Sequence, residues 1–286
     1  MSILSLALTR RWLGWLAFTT LFAVVCVGLA QWQWARRVEA VAEIRVVAQN
    51  WDAAPVALRE ALPGDAPLDP ESEWTPVVLE GEYLVEDQLL VRNRPSAGRP
   101  GFEVLTPLLL ETGEVFIVDR GWVPTGEAQD SPDVVPEPPE GPVEVIVRLK
   151  PGEPTIAGRG APEGQIATIH LPELAERIDA GPVVSGAYGL LDSEIPGVAE
   201  RPAPALRPAP DEGPHLSYTF QWYLFALLGF VGYGWALRQE HRGIVAERTG
   251  EDPPKRVRRR PSDDEVEDAI VERHDAARQA SEISSA

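Results

Sequence analysis

A histidine in the last third of the chain has the clearest potential for chemistry. His215 begins an apolar segment, and Tyr218 and Trp222 follow it one and two helical turns later, with Phe225 beyond them. At about 100° per residue these side chains fall within about 80° on one helix face. A neutral imidazole above an aromatic stripe can ligate a haem iron. The alternative is an interfacial aromatic belt whose histidine bonds only to backbone or water.

A glutamine lies in the same apolar segment. Gln221 would be a polar amide at membrane depth, where such a group is expected to face a partner helix or a polar cavity. Gln31 and Gln33, at the outer end of the other apolar segment, are its natural partners. We therefore expect the outer ends of the two segments to pack together.

Known catalytic arrangements are missing from the sequence. The long segment between the two apolar runs contains only His170 and His215, and no nucleophile elbow, zinc-protease or phosphate-loop motif occurs. His170 is interpreted as a turn histidine. An enzymatic function is not expected.

Cysteine usage narrows the metal chemistry. Cys26 is the single cysteine and lies inside the first apolar run, and the single methionine is Met1. The central segment therefore has no disulfide and no thiolate or thioether ligand of the kind that suits Cu(I). Copper delivery is disfavoured.

Two short basic motifs stand out in the acidic central segment. Arg94 closes the cluster 92–94, which is either a functional patch or a set of ordinary ion pairs. Arg120, Gly121 and Trp122 follow one another in a predicted strand. Gly121 there indicates a bulge or a close backbone approach, and Trp122 is interpreted as a core residue.

Two apolar runs must position these residues. Residues 12–30 and 216–237 carry no charged side chain, and each is about as long as a helix that spans a bilayer. We predict transmembrane helices at 12–34 and 215–237. A cleaved signal peptide is the alternative for the first, since two arginines precede it and small residues occupy 28–30. Its length and the interfacial pair Trp32 and Trp34 favour retention.

Arginine placement predicts the orientation. Arg238, Arg242, Arg248 and the basic cluster at 255–260 follow the second helix, which places the C-terminus in the cytoplasm. The N-terminus, residues 1–11, is then cytoplasmic too, and residues 35–214 lie outside a plasma membrane. Arg36 and Arg37 oppose this slightly. Residues 238–286 are predicted to be a disordered cytoplasmic tail.

The central segment is acidic and has strand-like patterning. The net charge of the chain is −18, and residues 38–214 hold 32 Asp and Glu against 12 Arg and Lys, so nucleic acid is excluded as a partner. We predict a membrane protein of the α+β class, with two terminal helices flanking a mainly antiparallel β domain. The predicted strands are 76–83, 88–93, 102–110, 114–123 and 143–149, with a weaker one at 168–170, a hairpin loop at 111–113, a short helix at 172–178, extended chain at 181–191 and a Pro-rich lead-in at 195–214.

Four motifs in order resemble the surfeit locus protein 1 (Surf/Shy) family. They occupy residues 29–36, 81–83, 94–124 and 215–222, with Ala30 where the family usually has Gly and Asp119 where Asn is common. Residues 152–210 depart most from the family pattern.

This resemblance implies a function in the assembly of haem-copper cytochrome c oxidase. The implied partners are oxidase subunit I, other oxidase assembly factors and the membrane. Some bacterial members are thought to bind haem a through the histidine that corresponds to His215. If this chain does so, we expect Tyr218 and Trp222, on the same helix face, to lie beside the macrocycle. A cofactor-free membrane scaffold or chaperone is the alternative. The other positions that match family motifs are Gln31, Trp32, Gln33, Arg36, Arg94, Arg120, Gly121, Trp122 and Gln221.

Overall fold

The computed structural model describes residues 2–64 and 66–250, and the chain forms two compact units. The helical unit comprises Met1–Trp34 and Leu216–Ala286, and the β unit comprises Ala35–His215. Three helices build the ends of the chain: α1 (Ile3–Ala7), α2 (Arg10–Asn50) and, numbered in chain order, α5 (His215–Thr249).

Helices α2 and α5 are long and apolar enough to span a membrane. Their most apolar stretches have mean hydropathies of 2.1 and 1.2. Large apolar side chains such as Phe18 and Phe220 are more than 60% exposed, as expected for surfaces that contact lipid. The two predicted spans are therefore helical, while their insertion and orientation remain predictions.

The C-terminal helix is longer than predicted. Helix α5 continues twelve residues past 237, so residues 238–249 are helical and not disordered. The remainder of the predicted tail, 251–286, lies outside the described residues.

Within the helical unit, α2 and α5 pack against each other. Trp12 of α2 makes an edge-to-face contact with Tyr233 of α5, with 5.4 Å between the ring centroids. Further along, Ala23 and Cys26 pack against Ala226. These small side chains allow the helix backbones to approach closely, which is how membrane helices associate. The predicted pairing of the two segments is confirmed.

In its described part, residues 35–64 and 66–215, the β unit contains eight strands, two short α-helices and two 3-10 turns. The strands and α-helices are β1 (Val56–Ala57), α3 (Leu58–Ala61), β2 (Pro76–Tyr83), β3 (Leu89–Val91), β4 (Gly101–Leu110), β5 (Val115–Pro124), β6 (Pro142–Lys150), β7 (Gln165–Ile166), α4 (Leu171–Ala175) and β8 (Tyr188–Ile195). Strand β6 alternates between buried and more exposed residues, whereas β4 and β5 are buried along most of their length.

Five of these strands close into a barrel-like ring in the order β2, β6, β8, β5, β4 and back to β2. Most pairs are antiparallel, as predicted, but β1–β2, β3–β7 and β5–β8 are parallel. The closing pair β2–β4 depends on Gly81, because a Cβ there would overlap the carbonyl oxygen of Leu109. Closure leaves these strands without an open edge.

Three predicted elements differ from the structure. One is the short helix predicted at 172–178, which is α4 and ends at Ala175. Residues 168–170 are not a strand: the short strand is β7, and His170 caps α4 by accepting a hydrogen bond from the Glu173 amide at 3.3 Å. Strand β8 begins and ends later than the predicted extended segment. Its second half, Asp192 to Glu194, is polar and pairs with β6, so apolar patterning did not reveal it.

Candidate functional site

A short turn holds His215 at the first position of α5. The Gly213 amide donates to Asp211 Oδ1 at 2.8 Å, and Gly213 adopts a φ of 66°. A Cβ on Gly213 would lie 3.3 Å from both Cδ2 and Nε2 of His215, so the imidazole lies close over the Gly213 backbone. The ring is partly buried. The turn therefore restricts where this imidazole can point.

The extension of α2 beyond residue 34 is tied to the same turn. Arg37 Nη2 lies 2.9 Å from Glu212 Oε2. Arg36, the arginine selected from the sequence, instead pairs with Glu39 at 2.8 Å on its own helix. The arginine that contacts the histidine turn is thus the neighbour of the predicted one.

The aromatic residues of α5 have different surroundings. Trp222 packs against Ala23, Cys26 and Ala226, which uses part of its ring for the helix pair. Tyr218 is 43% exposed. Of the two, Tyr218 has the more exposed ring.

Gln31 contacts a different residue of α5 from the one predicted. Gln31 Nε2 donates to Tyr223 Oη at 2.7 Å, whereas Gln221 is exposed. Of the two predicted partners of Gln221, Gln31 bonds to the hydroxyl of Tyr223 instead. Trp32 is 52% exposed, as an interfacial residue would be, and Gln33 is partly buried.

In the β unit, Arg94 is the centre of a partly buried ion-pair network. Its Nε lies 2.8 Å from Glu103 Oε2, and its Nη2 lies 2.5 Å from Glu153 Oε2. Trp122 Nε1 donates to the Arg94 carbonyl at 2.6 Å. Burial alone would lower the pKa of Arg94, but the hydrogen bond and charge of Glu153 and the charge of Glu103 outweigh it and raise that pKa. The structure thus brings together Arg94 and Trp122.

A buried carboxyl group belongs to this network and was not predicted as a site residue. Asp119 is 3% exposed and accepts a hydrogen bond from the Gly121 amide at 2.9 Å. Burial raises its pKa well above the usual value, the charge of Glu103 adds to the effect, and the Gly121 bond opposes it. Burial likewise raises the pKa of Glu103 and, with the charge of Asp119, that of Tyr188. The sequence feature that could have indicated this buried group is an acidic residue inside the largely apolar strand β5.

Arg120 lies in the interior and anchors a loop. It is 1% exposed, and its guanidinium donates to the carbonyl oxygens of Pro136 and Glu137 at 2.8 and 3.0 Å. It also lies 5.5 Å from the ring centroid of Tyr83. Burial lowers the pKa of Arg120. Its contacts indicate a structural function, not direct contact with a ligand.

Gly121 makes the predicted close backbone approach. Its φ is +124°, and a Cβ would overlap the carbonyl oxygen of Ala203. Trp122 and Ala203 exchange two backbone hydrogen bonds of 2.8 Å each. This pairing docks the chain that leads to α5 onto strand β5.

The side chains present could supply one imidazole ligand to a metal-containing group. His215 offers one imidazole, and Tyr218 lies one turn along the same helix face. Among residues 2–64 and 66–250, no group of three or more His, Cys, Asp or Glu side chains is placed to hold a metal ion.

Comparison with known proteins gives a consistent result. A family model described as the SURF1 family matches residues 20–227. Uncharacterized SURF1-like proteins of Mycobacterium bovis and Mycobacterium tuberculosis are 31% identical to the chain over 250 residues. The alignment covers 84% of this chain and 90% of each relative.

Proposed function

The chain belongs to the SURF1 (surfeit locus protein 1) family, and we propose that it is an assembly factor for haem-copper cytochrome c oxidase acting at the plasma membrane. Its β unit then lies outside the membrane and both termini lie in the cytoplasm. The client is oxidase subunit I. The two long apolar helices and the acidic β unit support this assignment, because such a chain can hold a membrane-embedded partner while its folded unit stays in water.

The finer proposal is that His215 helps to hold haem a before it enters subunit I. The turn at Asp211 and Gly213, which restricts the imidazole at the first position of α5, is the observation that carries it. Haem a would supply an iron that accepts an imidazole nitrogen. Tyr218 presents an accessible ring on the same side of the helix, and Trp222 fixes α5 against α2. Since one ligand at a helix end leaves the group easily displaced, this arrangement suits a carrier.

Purified protein from cells that make haem a tests the finer proposal. We expect the full-length protein to show a Soret band, and His215→Ala to remove it, because the variant lacks the axial nitrogen. His170→Asn is the matched control: it replaces the other histidine of the β unit, while asparagine retains the helix-capping acceptor. A Soret band of unchanged intensity in His215→Ala would contradict the assignment of His215.

A cofactor-free scaffold is the second candidate. The observation in its favour is that Arg94, Arg120 and Trp122, all matched by family motifs, make contacts inside the β unit. A colourless protein together with normal oxidase yield in cells carrying His215→Ala would support the scaffold over the carrier.

The broader assignment has its own test. A strain lacking the gene should have less spectroscopically intact oxidase, and its other cytochromes should be unchanged. Expression of the wild-type chain should restore the oxidase. Normal haem a content and oxidase activity in the deletion strain would contradict a function in assembly.

A further inference from the structure

The segment at 203–214, here called the strap, follows strand β8 in the chain and leads to His215, the first residue of α5. At Ala203 it pairs with Trp122 of β5. We propose that the strap positions His215, and that Gly121 and Trp122 are positioning residues that act through it. This inference rests on the proposed haem-carrying function. It gives Gly121 and Trp122 a function beyond their contacts within the β unit.

The first attachment of the strap is on the barrel. Ala203 pairs with Trp122 through two backbone hydrogen bonds of 2.8 Å, and the preceding Pro202 is buried. Gly121 makes this contact possible, since any side chain there would overlap the Ala203 carbonyl. At a φ of +124° a side chain would be strained even without that overlap. The strap therefore starts from a fixed point on β5.

The second attachment is just beyond the end of α2. Arg207 Nη1 lies 2.7 Å from Asp52 Oδ2, and its guanidinium lies 5.9 Å from the ring centroid of Trp51. Arg148 of β6 contacts the same ring at 4.3 Å and donates to the Trp51 carbonyl. The strap, the end of α2 and the barrel thus meet around one tryptophan.

The third attachment is at the histidine turn. Glu212 pairs with Arg37 of α2, and Gly213 is bonded to Asp211. Between the attachments the strap contains prolines at 204, 208, 210 and 214. Proline fixes φ and favours a stiff extended chain, so a shift at one end is passed along the strap instead of being absorbed.

Each attachment narrows the positions that His215 can occupy. Detaching either end would leave the imidazole in a competent position for a smaller fraction of the time. Apparent affinity falls in proportion to that fraction. The strap therefore sets haem affinity without contacting haem.

Haem a titrations of full-length protein in detergent test the proposal. We expect about tenfold weaker binding for Gly121→Ala and about threefold weaker binding for Glu212→Gln, as the competent fraction falls. Glu200→Gln is the matched control, because it makes the same charge change just before the strap on an exposed residue for which no ion pair is found. It should bind like the wild type.

A second readout separates positioning from general damage. Hydrogen exchange should rise in residues 203–214 of Glu212→Gln, while amides of β4 and β5 keep their protection. Wild-type affinity in both variants, with haem bound by the wild type, would overturn the strap proposal alone. A wild-type chain that binds no haem a would overturn the carrier function and this inference with it.

Discussion

Replacing Arg94 with methionine should destabilise the β unit by about 3 kcal/mol, because it leaves two partly buried carboxylates without their cation. Glu103 and Glu153 would then face each other with no cation between them. Both carboxylates are less than a third exposed, so water replaces the lost arginine poorly. Methionine approximates the aliphatic part of arginine, so the change mainly removes the charge.

The loss would extend beyond the ion pairs. The backbone carbonyl of Arg94 accepts from Trp122, and Glu153 also accepts from the Ile169 amide at 2.9 Å. A shift of Glu153 would therefore disturb the segment before α4. We expect the decrease in stability to reach β4, β5 and that segment together.

Hydrogen exchange of full-length protein measures this effect. The free energy of opening, from amides of β4 and β5, should fall by the stated amount. Arg45→Met is the matched control: Arg45 pairs with Glu71 at 2.6 Å, but both side chains are more than half exposed, so the loss should stay below about 1 kcal/mol. Equal effects of the two variants would show that burial does not strengthen the Arg94 network.

Replacing Asp119 with asparagine should stabilise the β unit at neutral pH and make its stability less dependent on pH. Asparagine keeps an oxygen that can accept from the Gly121 amide, and it cannot ionise. Asn is also the residue that is common at this position in the surfeit locus protein 1 family. The substitution therefore removes a buried acid whose environment disfavours its charge.

The raised pKa of Asp119 determines whether the free energy of unfolding rises or falls with pH. The pKa of Asp119 is raised in the folded state, so between about pH 4 and that raised pKa the folded chain binds a proton that the unfolded chain does not. The free energy of unfolding then falls with rising pH, by up to about 1.4 kcal/mol per pH unit. Glu103, whose pKa is also raised, contributes in the same direction. Arg94, Glu153 and Tyr188 complete the charged and titratable groups around Asp119.

Stability curves between pH 5 and pH 8 test this prediction. Protection factors corrected for intrinsic exchange should diverge between the wild type and Asp119→Asn, with the variant more stable as pH rises. Asp179→Asn, the same change at an exposed position in the β unit, should follow the wild type. Parallel curves for the wild type and Asp119→Asn would show that Asp119 is already ionised in the folded protein.

Local pattern was enough to predict much of the fold. The two uncharged apolar runs predicted the most apolar parts of α2 and α5, and β-type runs between turn residues predicted β2 with its observed ends and the β4–β5 hairpin. The close approach at Gly121 also followed from a glycine inside a strand. Each of these depends on neighbours a few residues apart, which is the range that a sequence pattern records.

The tertiary structure decided which side chains meet. It selected Arg37 over Arg36 as the contact of the histidine turn, and Tyr223 over Gln221 as the partner of Gln31. In both cases the competing residues have the same or similar polarity and lie one or two positions apart. Rotation of the helix about its axis separates them, and that rotation is fixed by packing against a distant part of the chain.

Which charged residues are buried could not be predicted from the sequence. Residues 94, 103, 119 and 153 are spread over 60 positions, and folding of the β unit brings one arginine and three acids into the same partly buried region. The acidic composition excluded nucleic acid, yet it could not show which of the 32 acids would be buried. The sequence determined the two long apolar helices and the histidine at the start of the second, because these depend on local polarity. The position of that histidine and the charge state of the buried acid depend on long-range contacts, which exist only after folding.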